Sequence, residues 1–544
     1  MKKILTKIEA KLLESFEQKI GILDWLSAFS AIIVLRVFIE FFLASKAISF
    51  DSILIEYLHN FLFFALAIIL VWLNLSFFLK VKPQKLSKLL FWSLWGILLP
   101  PIFDMVKTHG AVYWSFYIVG GEKFLFEQYI TFLSGLPSGI VYFGTKIIFL
   151  SSIFLSGLIT LIKTKKIIRA IFASIGTYSA LFLIGAAPSI VALIYYFFDQ
   201  TKKTGSLQAY QIIQLLATSA SIFGTTLENF SYALPYNLEF ILFPFFLALL
   251  FLFLLIIDKK KTFAFLKNAR MPQLIYHSGL FFIGLGLGIW LYPENSKLTL
   301  FSFFAGFDLL FGIWAAWLAS VVVNDIYDFS LDLISNPERP LQSGAIHKKE
   351  YIEIGWLFFY LSLFSGLLVS IKFAGLLLVY QILAWAYSAR PYRLKRFPII
   401  ASFVSALASL VVFFIGFALI SGDQNIQNLS WRIILLLLIV YTLSLPIKDF
   451  KDIAGDKKDG VRTIPVIFGE KNGRLIIGTN FFISFMLSVF FLDKKILFFP
   501  ALIFGSIAFL IMQNQEIHPR KVFWWILPVI TVYGLILVKA LFFD

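Results

Sequence analysis

The feature that most limits how this chain can fold is a succession of apolar runs, many of them close to the roughly 20 residues that a helix needs to cross a bilayer. Of the 544 residues, 60% are hydrophobic and only 14% are charged. Segments of about ten residues that alternate apolar and polar side chains, as a membrane barrel would require, are not evident. The sequence therefore predicts an all-α, polytopic membrane protein with about 15 transmembrane helices.

The apolar runs fall into two groups. About nine lie after residue 270 and predict a nine-helix bundle, near 276–293, 299–323, 351–370, 373–388, 397–420, 431–447, 475–492, 496–512 and 522–541. About six precede residue 258 and predict an N-terminal helical membrane module, near 25–45, 52–79, 87–106, 137–162, 167–199 and 237–257. The basic segment 258–273 separates the groups, so we expect domains at 1–257 and 274–544, joined by a cytoplasmic linker.

Charge is distributed unevenly over the predicted loops. The chain carries a net charge of +16, and after residue 257 most Lys and Arg fall in alternate loops: 257–275, 324–350, 389–398, 448–475 and 513–521. The positive-inside rule makes these loops cytoplasmic and explains the net charge without nucleic acid as a partner. The N-terminal segment lacks the apolar core of a cleaved signal peptide and is expected to form a cytoplasmic amphipathic helix.

Residue types exclude several kinds of site. The chain contains no cysteine, which rules out disulfides, thiolate metal sites and cysteine nucleophiles. Its five histidines are scattered and form no paired metal-binding pattern. In the N-terminal half, Arg36 and Glu40 lie one helical turn apart within a span, and this spacing predicts a structural ion pair. Any catalytic chemistry must therefore depend mainly on carboxylates, cations and hydroxyl groups.

An acidic cluster, "NDIYDFSLD", ends the long apolar run before residue 324. Asn324, Asp328 and Asp332 lie at i, i+4 and i+8, and Asp325 joins them in a sector of a helix roughly 100° wide. Such a cluster repels itself unless it is compensated, and oxygen ligands of this kind suit hard divalent cations, Mg²⁺ above all.

A second cluster, "KDFKDIAGDKKDG", repeats this spacing. Asp449, Asp452 and Asp456 are separated as are Asp325, Asp328 and Asp332, again at the predicted cytoplasmic end of a span. Two such clusters on one face can hold two metal ions, for which a diphosphate is a natural ligand. Basic side chains in "NPERPLQSG" and "YSARPYRLKR" lie between the clusters in sequence and can neutralise the remaining phosphate oxygens.

Together these four segments resemble the signature segments of the UbiA family of intramembrane prenyltransferases, over residues 271–544. The resemblance implies a helical bundle around a central cavity, Mg²⁺ bridging an isoprenyl diphosphate, and prenyl transfer to a hydrophobic acceptor within the membrane. It implies metal ligands at Asn324, Asp328, Asp332, Asp452 and Asp456. Candidate diphosphate contacts are Arg339, Arg390, Arg393, Lys395 and Lys451. Candidate catalytic or supporting residues are Asp325, Asp449 and Tyr387, the last beside the developing allyl cation.

Several alternatives remain open at this point. Some family members have a Tyr-x-x-x-Lys pattern, for which Tyr392 with Arg396, or Tyr387 with Lys395, would have to substitute. The acceptor is undetermined among quinone-precursor rings, chlorin-like propionates, glycerol-phosphate lipids and haem. A transporter of cations or lipid phosphates is the competing class, although its acids would be expected nearer the bilayer midplane. The N-terminal module is open to scaffolding, docking of a partner protein or lipid delivery.

Overall fold

The computed structural model describes most of the chain, and all statements below concern that part. The described residues are 14–44, 49–108, 117–132, 143–199, 207–217, 222–223, 232–421, 424–451, 453–458 and 460–542. Their regular secondary structure is helical. Among them, 15 helical segments are long and apolar enough to cross a membrane, six before residue 268 and nine after residue 270. The predicted polytopic all-α architecture is therefore confirmed.

The chain divides into two compact units. The first comprises residues 1–222, 226–263 and 299–308, and the second comprises 223–225, 264–298 and 309–544. The division falls inside the basic segment that the sequence marks as a linker. Residues 264–298 thus belong with the C-terminal unit.

The first unit contains most of the N-terminal helices. Their bounds are α1 Ile22–Ala44, α2 Phe50–Leu79, α3 Ser87–Ser93, α4 Leu99–Thr108, α5 Glu122–Thr131, α6 Phe143–Thr164, α7 Ile167–Gly185, α8 Ala187–Asp199, α9 Ala209–Ala217 and α10 Ala233–Lys267, of which α10 continues into the second unit. The predicted run 167–199 is thus two helices. The predicted ion pair is confirmed, because Arg36 Nη2 lies 2.6 Å from Glu40 Oε1 and both residues are buried.

The second unit contains the remaining helices. Their bounds are α11 Met271–Leu291, α12 Leu300–Tyr327, α13 Phe329–Ser335, α14 Lys348–Val369, α15 Ile371–Ser388, α16 Pro398–Ile420, α17 Trp431–Ser444, α18 Ile453–Lys458, α19 Ile464–Leu492, α20 Phe498–Gln513 and α21 Val522–Phe542. A 3₁₀ helix, Leu445–Lys451, extends α17. The first residues of α12, up to Asp308, are grouped with the first unit.

Two glycines allow α11 and α16 to approach closely. A Cβ atom on Gly284 would lie 2.1 Å from the carbonyl oxygen of Phe413, and one on Gly416 would lie 2.0 Å from that of Phe281. Lipid tails are as apolar as leucine, so helices in a bilayer associate through this kind of close packing at small residues. Any larger side chain at either position would push the two backbones apart.

The connection between the two groups of spans is largely helical. Helix α10 contains a non-helical residue, Asp258 (φ −155°, ψ 92°), and then continues to Lys267. Arg270 has φ +56° and ends the connection, because α11 begins at the next residue with a proline in its first turn. Proline lacks an N–H donor and suits that place in a helix. The predicted linker 258–273 is thus mostly helix, and its last residues reach the acidic cluster described below.

Candidate active site

Asp325 is the most completely enclosed carboxylate of the first acidic cluster. It is fully buried and accepts four hydrogen bonds. Its Oδ1 receives Arg270 Nη2 at 2.7 Å and Arg339 Nη1 at 3.1 Å. Its Oδ2 receives Asn268 Nδ2 at 2.6 Å and Tyr351 Oη at 2.7 Å. Asp325 therefore holds together α12, α14, the end of the linker and the segment after α13.

Asp328 lies where α12 ends and α13 begins. Asn324 donates to its Oδ2 at 2.9 Å from the preceding turn. Arg393 Nη2 lies 3.1 Å from Oδ1, and Lys395 Nζ forms an ion pair with Oδ2. All three charged side chains are largely buried. The "YSARPYRLKR" segment thus delivers two cations to one carboxylate of the predicted metal-binding set.

The backbone of that segment explains how Arg393 reaches the acid. Arg393 has φ +42° and precedes the short 3₁₀ helix Leu394–Arg396. Its N–H donates to the carbonyl oxygen of Ala389 at 2.7 Å, which closes a tight turn. Ser388, at the end of α15, also accepts from Asn324 at 3.3 Å. The loop is thereby fixed against the end of α12.

Asp332 completes the first cluster. Arg339 bridges it to Asp325 through Nη1, and Asn336 donates to its Oδ1 at 2.9 Å. Burial raises the pKa of Asp332, while the Arg339 guanidinium and the Asn336 hydrogen bond lower it. A proton therefore competes with any cation for this carboxylate, and cation binding there weakens as the pH falls.

The predicted acidic face divides into two rows. Asn324 and Asp328 face the loop after α15, whereas Asp325 and Asp332 share Arg339. The backbone keeps a helical course across the junction, since the N–H of Asp328 donates to Asn324 and that of Asp332 donates to Asp328. Helical spacing predicted the cluster, but it could not predict which cation faces which acid.

The second acidic segment is only partly described. Asp449 is half-buried in the 3₁₀ helix that follows α17. Asp452 lies outside the described residues, as do the side chains of Lys451 and Asp456. Their predicted contacts with metal or diphosphate therefore stay predictions, as does the supporting role of Asp449.

Lys448 links this segment to the end of α15. Its Nζ lies 3.3 Å from Tyr387 Oη and 3.3 Å from Ser405 Oγ. The same ammonium group lies 5.2 Å from the centre of the Tyr387 ring. The ring that the sequence proposes for stabilising an allyl cation thus already contacts a cation of the protein. That role for Tyr387 stays a prediction.

A model of the UbiA prenyltransferase family matches residues 280–527. This part of the chain belongs to the UbiA prenyltransferase family. All four signature segments lie inside the matched range, whereas the start of α11 and the linker before it lie outside. The matched part of the chain is accordingly a prenyltransferase domain of the UbiA type, as the four signature segments predicted.

Named relatives of the UbiA domain include two digeranylgeranylglyceryl phosphate synthases. The one from Methanosphaera stadtmanae is 29% identical over 222 residues, which cover 39% of this chain and 79% of the relative. The one from Korarchaeum cryptofilum is 34% identical over 165 residues, 29% of this chain and 55% of the relative. The chloroplastic chlorophyll synthase of Avena sativa is 30% identical over 206 residues, 36% of this chain and 53% of the relative. The last two matches thus span little more than half of each relative.

Among solved structures, a UbiA homologue from Archaeoglobus fulgidus bound to GPP and Mg²⁺ is similar to this chain at 20% identity, with a TM-score of 0.41. The similarity covers 51% of this chain and 98% of that one.

Most of the described candidates of the UbiA domain come together, whereas Arg390 does not join them. Asn324, Asp325, Asp328, Asp332 and the cations Arg339, Arg393 and Lys395 form one array. Arg390 is exposed and forms no ion pair with any described residue. Its predicted contact with the diphosphate stays a prediction.

Sequence reasoning missed Asn268, Arg270, Tyr351 and Lys448. The first three lie 57, 55 and 26 residues from Asp325, the acid that they contact. Spacing within a motif carries no signal over such separations. Lys448 is the first residue of the second acidic segment, "KDFKDIAGDKKDG". Its place directly before Asp449 could have identified it as a candidate site residue.

Proposed function

We propose that the UbiA domain transfers an isoprenyl group from an isoprenyl diphosphate to a hydrophobic acceptor in a Mg²⁺-dependent reaction that releases diphosphate. The observation that carries this proposal is the array of acids and cations at the end of α12, in which Asp328 pairs with Arg393 and Lys395 while Arg339 bridges Asp325 and Asp332. Carboxylates suit the metal, and the cations suit the phosphate oxygens that the metal does not reach.

The donor set fits magnesium. Asn324, Asp328 and Asp332 present amide and carboxylate oxygens on successive turns, with Asn324 and Asp328 in direct contact at 2.9 Å. Mg²⁺ is commonly held by one or two carboxylates together with substrate phosphates, rather than by a closed protein cage. Asn324, Asp328 and Asp332 would therefore hold it, together with Asp452 and Asp456 of the second segment.

The protein residues act on the charge that develops during the reaction. Bound Mg²⁺ would supply Lewis-acid stabilisation of the leaving diphosphate. Arg339, Arg393 and Lys395 stabilise the same negative charge, and they can turn from carboxylate to phosphate because both ligands are oxyanions. The apolar interior of the bundle keeps water away from the cation-like prenyl group until the acceptor attacks.

The active site is proposed to lie on the cytoplasmic side. The loops that bring Arg339, Arg393 and Lys395 to the acids are among the most basic of the chain, and the positive-inside rule places such loops in the cytoplasm. Isoprenyl diphosphate would then enter from the compartment in which it is soluble.

The acceptor is proposed to be a prenyl glyceryl phosphate, with chlorin-type acceptors as the second candidate. Several relatives are named digeranylgeranylglyceryl phosphate synthases and one is named a chlorophyll synthase. Mass spectrometry of lipids that copurify with the protein should identify a member of one of these classes.

The transfer is tested with purified full-length protein, labelled geranylgeranyl diphosphate, Mg²⁺ and a panel of acceptors. We expect a prenylated product and one released diphosphate per product, both abolished by EDTA and restored by Mg²⁺. Diphosphate that crosses a proteoliposome membrane intact, with no product, would instead identify a transporter.

We further propose that residues 1–257 form a separate membrane module that serves in scaffolding, partner docking or lipid delivery. The division of the chain into two compact units near residue 263 supports this proposal. The catalytic part is accordingly best defined from about residue 264, because Phe265 and Ala269 pack in an apolar cluster with Leu318, Val322 and Tyr351.

A further inference from the structure

The residues just before α11 are fixed against the acidic end of α12. Phe265 and Ala269 are buried in an apolar cluster with Val322 and Tyr351, and the carbonyl oxygen of Ala269 accepts a hydrogen bond from Trp317 at 3.1 Å. These contacts hold the intervening Asn268, which is buried, and the adjacent Arg270. Both donate to Asp325, so the position of Arg270 is set by packing and not only by its own charge.

The charges around Asp325 and Asp332 are unequally shared. In the described part of the chain, Arg270 forms an ion pair with Asp325 and with no other acid. Arg339 pairs with both Asp325 and Asp332. Two carboxylates thus face two guanidinium groups, but only Arg339 bridges the acids. If Arg339 turns towards another anion, Arg270 still compensates Asp325.

We propose that Arg270 is a positioning residue: as the fixed counter-ion of Asp325, it keeps Arg339 available for the diphosphate of the isoprenyl substrate. This inference rests on the proposed function, because it assigns Arg339 to that diphosphate. It also assigns a role to Asp325, whose carboxylate holds the two arginines in register and is enclosed by protein donors on both oxygens.

The reason is the cost of leaving a buried carboxylate without a cation. Asp325 is fully buried, and the other donors to it, Asn268 and Tyr351, are neutral. Without Arg270, Arg339 would be the one remaining cation in contact with Asp325 among the described residues. Moving Arg339 to a substrate would then expose Asp325 to the full penalty of an unpaired buried charge. Binding of the diphosphate would have to overcome that penalty.

The test compares four variants of the full-length protein in lipid nanodiscs: Arg270→Gln, Arg270→Lys, Asp325→Asn and the double variant Arg270→Gln/Asp325→Asn. Binding of geranylgeranyl S-thiolodiphosphate, which resists cleavage, is measured calorimetrically at fixed Mg²⁺, and KM and kcat are measured separately. Arg432→Gln serves as the control for loss of one positive charge, since Arg432 is exposed at the start of α17 and has no place in the site.

Arg270→Gln should weaken binding of the analogue and raise the KM for the isoprenyl diphosphate at least about tenfold, with a smaller change in kcat. Arg270→Lys should retain binding to within about threefold, because the charge remains. The double variant should recover most of the binding lost in Arg270→Gln, since the buried carboxylate of Asp325, which would otherwise need Arg339 as its counter-ion, is then absent. Such recovery is not expected of a merely structural arginine.

Three results would overturn the inference: a double variant that binds no better than Arg270→Gln, a loss in Arg270→Gln confined to kcat, or an equal loss in Arg432→Gln. If Arg270→Gln does not fold, the double variant is compared with Asp325→Asn, and weaker binding in the double variant contradicts the proposal. Failure of the wild-type protein to bind the analogue would instead overturn the proposed function, and this inference with it.

Discussion

Two buried acids, Asp325 in the second unit and Glu239 in the first, differ in what surrounds them. Both are fully buried. Asp325 accepts four hydrogen bonds, two of them from arginines. Glu239, in α10, accepts no hydrogen bond from any described residue. The one buried ion pair described in the first unit, Arg36 with Glu40, supplies no cation to Glu239.

The difference shows what separates a charged site from an acid that is merely buried. A carboxylate in an apolar environment stays ionised only if cations and donors replace its water. The second unit provides them for Asp325, Asp328 and Asp332, which suits acids that must work as anions. We therefore expect changes at the compensated acids to affect catalysis, whereas a change at Glu239 should not.

The largest expected effect is at the metal-binding set. Asp328→Asn should lower turnover about a thousandfold or more, because the substitution removes a ligand charge at constant size and leaves Arg393 and Lys395 without their acid. Asp452→Asn should have the same effect. The measurement is product formation at saturating substrate, with thermal unfolding to show that each variant is folded. Near-wild-type, Mg²⁺-dependent turnover in either variant would refute the two-cluster site.

A truncation pair tests where the catalytic region begins. A chain of residues 259–544 keeps Phe265, Asn268 and Arg270, whereas a chain of 271–544 loses all three. We expect the longer chain to fold in detergent and retain transfer, and the shorter one to lose most of its diphosphate binding. The comparison is made by size-exclusion profile and analogue binding.

Two outcomes of the truncation pair would contradict these expectations. Equal diphosphate binding by both chains would show that the residues before 271 are dispensable. A folded 259–544 chain that binds diphosphate but transfers only when residues 1–257 are added in trans would show that the first half contributes to the active site.

A moderate effect is expected for Lys395→Ala. Loss of one of the two cations that pair with Asp328 should raise the KM for the isoprenyl diphosphate about tenfold and change kcat less. Lys372→Ala, which removes an exposed charge near the opposite end of α15, is the matched control. An effect of Lys395→Ala that is confined to the KM of the acceptor would refute the assignment to diphosphate.

The smallest effect is expected for Glu239→Gln. Because no described residue donates to the carboxyl group, the amide loses no hydrogen bond, and the free energy of unfolding should change by less than about 1 kcal/mol. Transfer should remain at the wild-type rate. Thermal unfolding of the full-length protein, followed by tryptophan fluorescence, provides the measurement. A large loss of stability or of turnover would show that Glu239 has a role in the first unit that its contacts do not reveal.

The sequence alone predicts the helical membrane architecture, because the length of an apolar run and the width of a bilayer are directly comparable. It also predicts the first acidic cluster, since residues at i, i+4 and i+8 share a helix face whatever lies opposite. The four signature segments suffice to indicate the family. These are local properties, each contained within a few turns of one helix or one loop.

Which charges meet depends on the tertiary structure. Asp325 is compensated by Arg270 and Arg339, whereas Asp328 is compensated by Arg393 and Lys395. Arg390 belongs to the same motif as Arg393 yet is exposed. The reason is that a contact between residues more than fifty positions apart depends on how whole helices pack and on where each loop turns. The positive φ of Arg393 and the apolar contacts of Phe265 set these features, and neither is encoded by the spacing of charged residues.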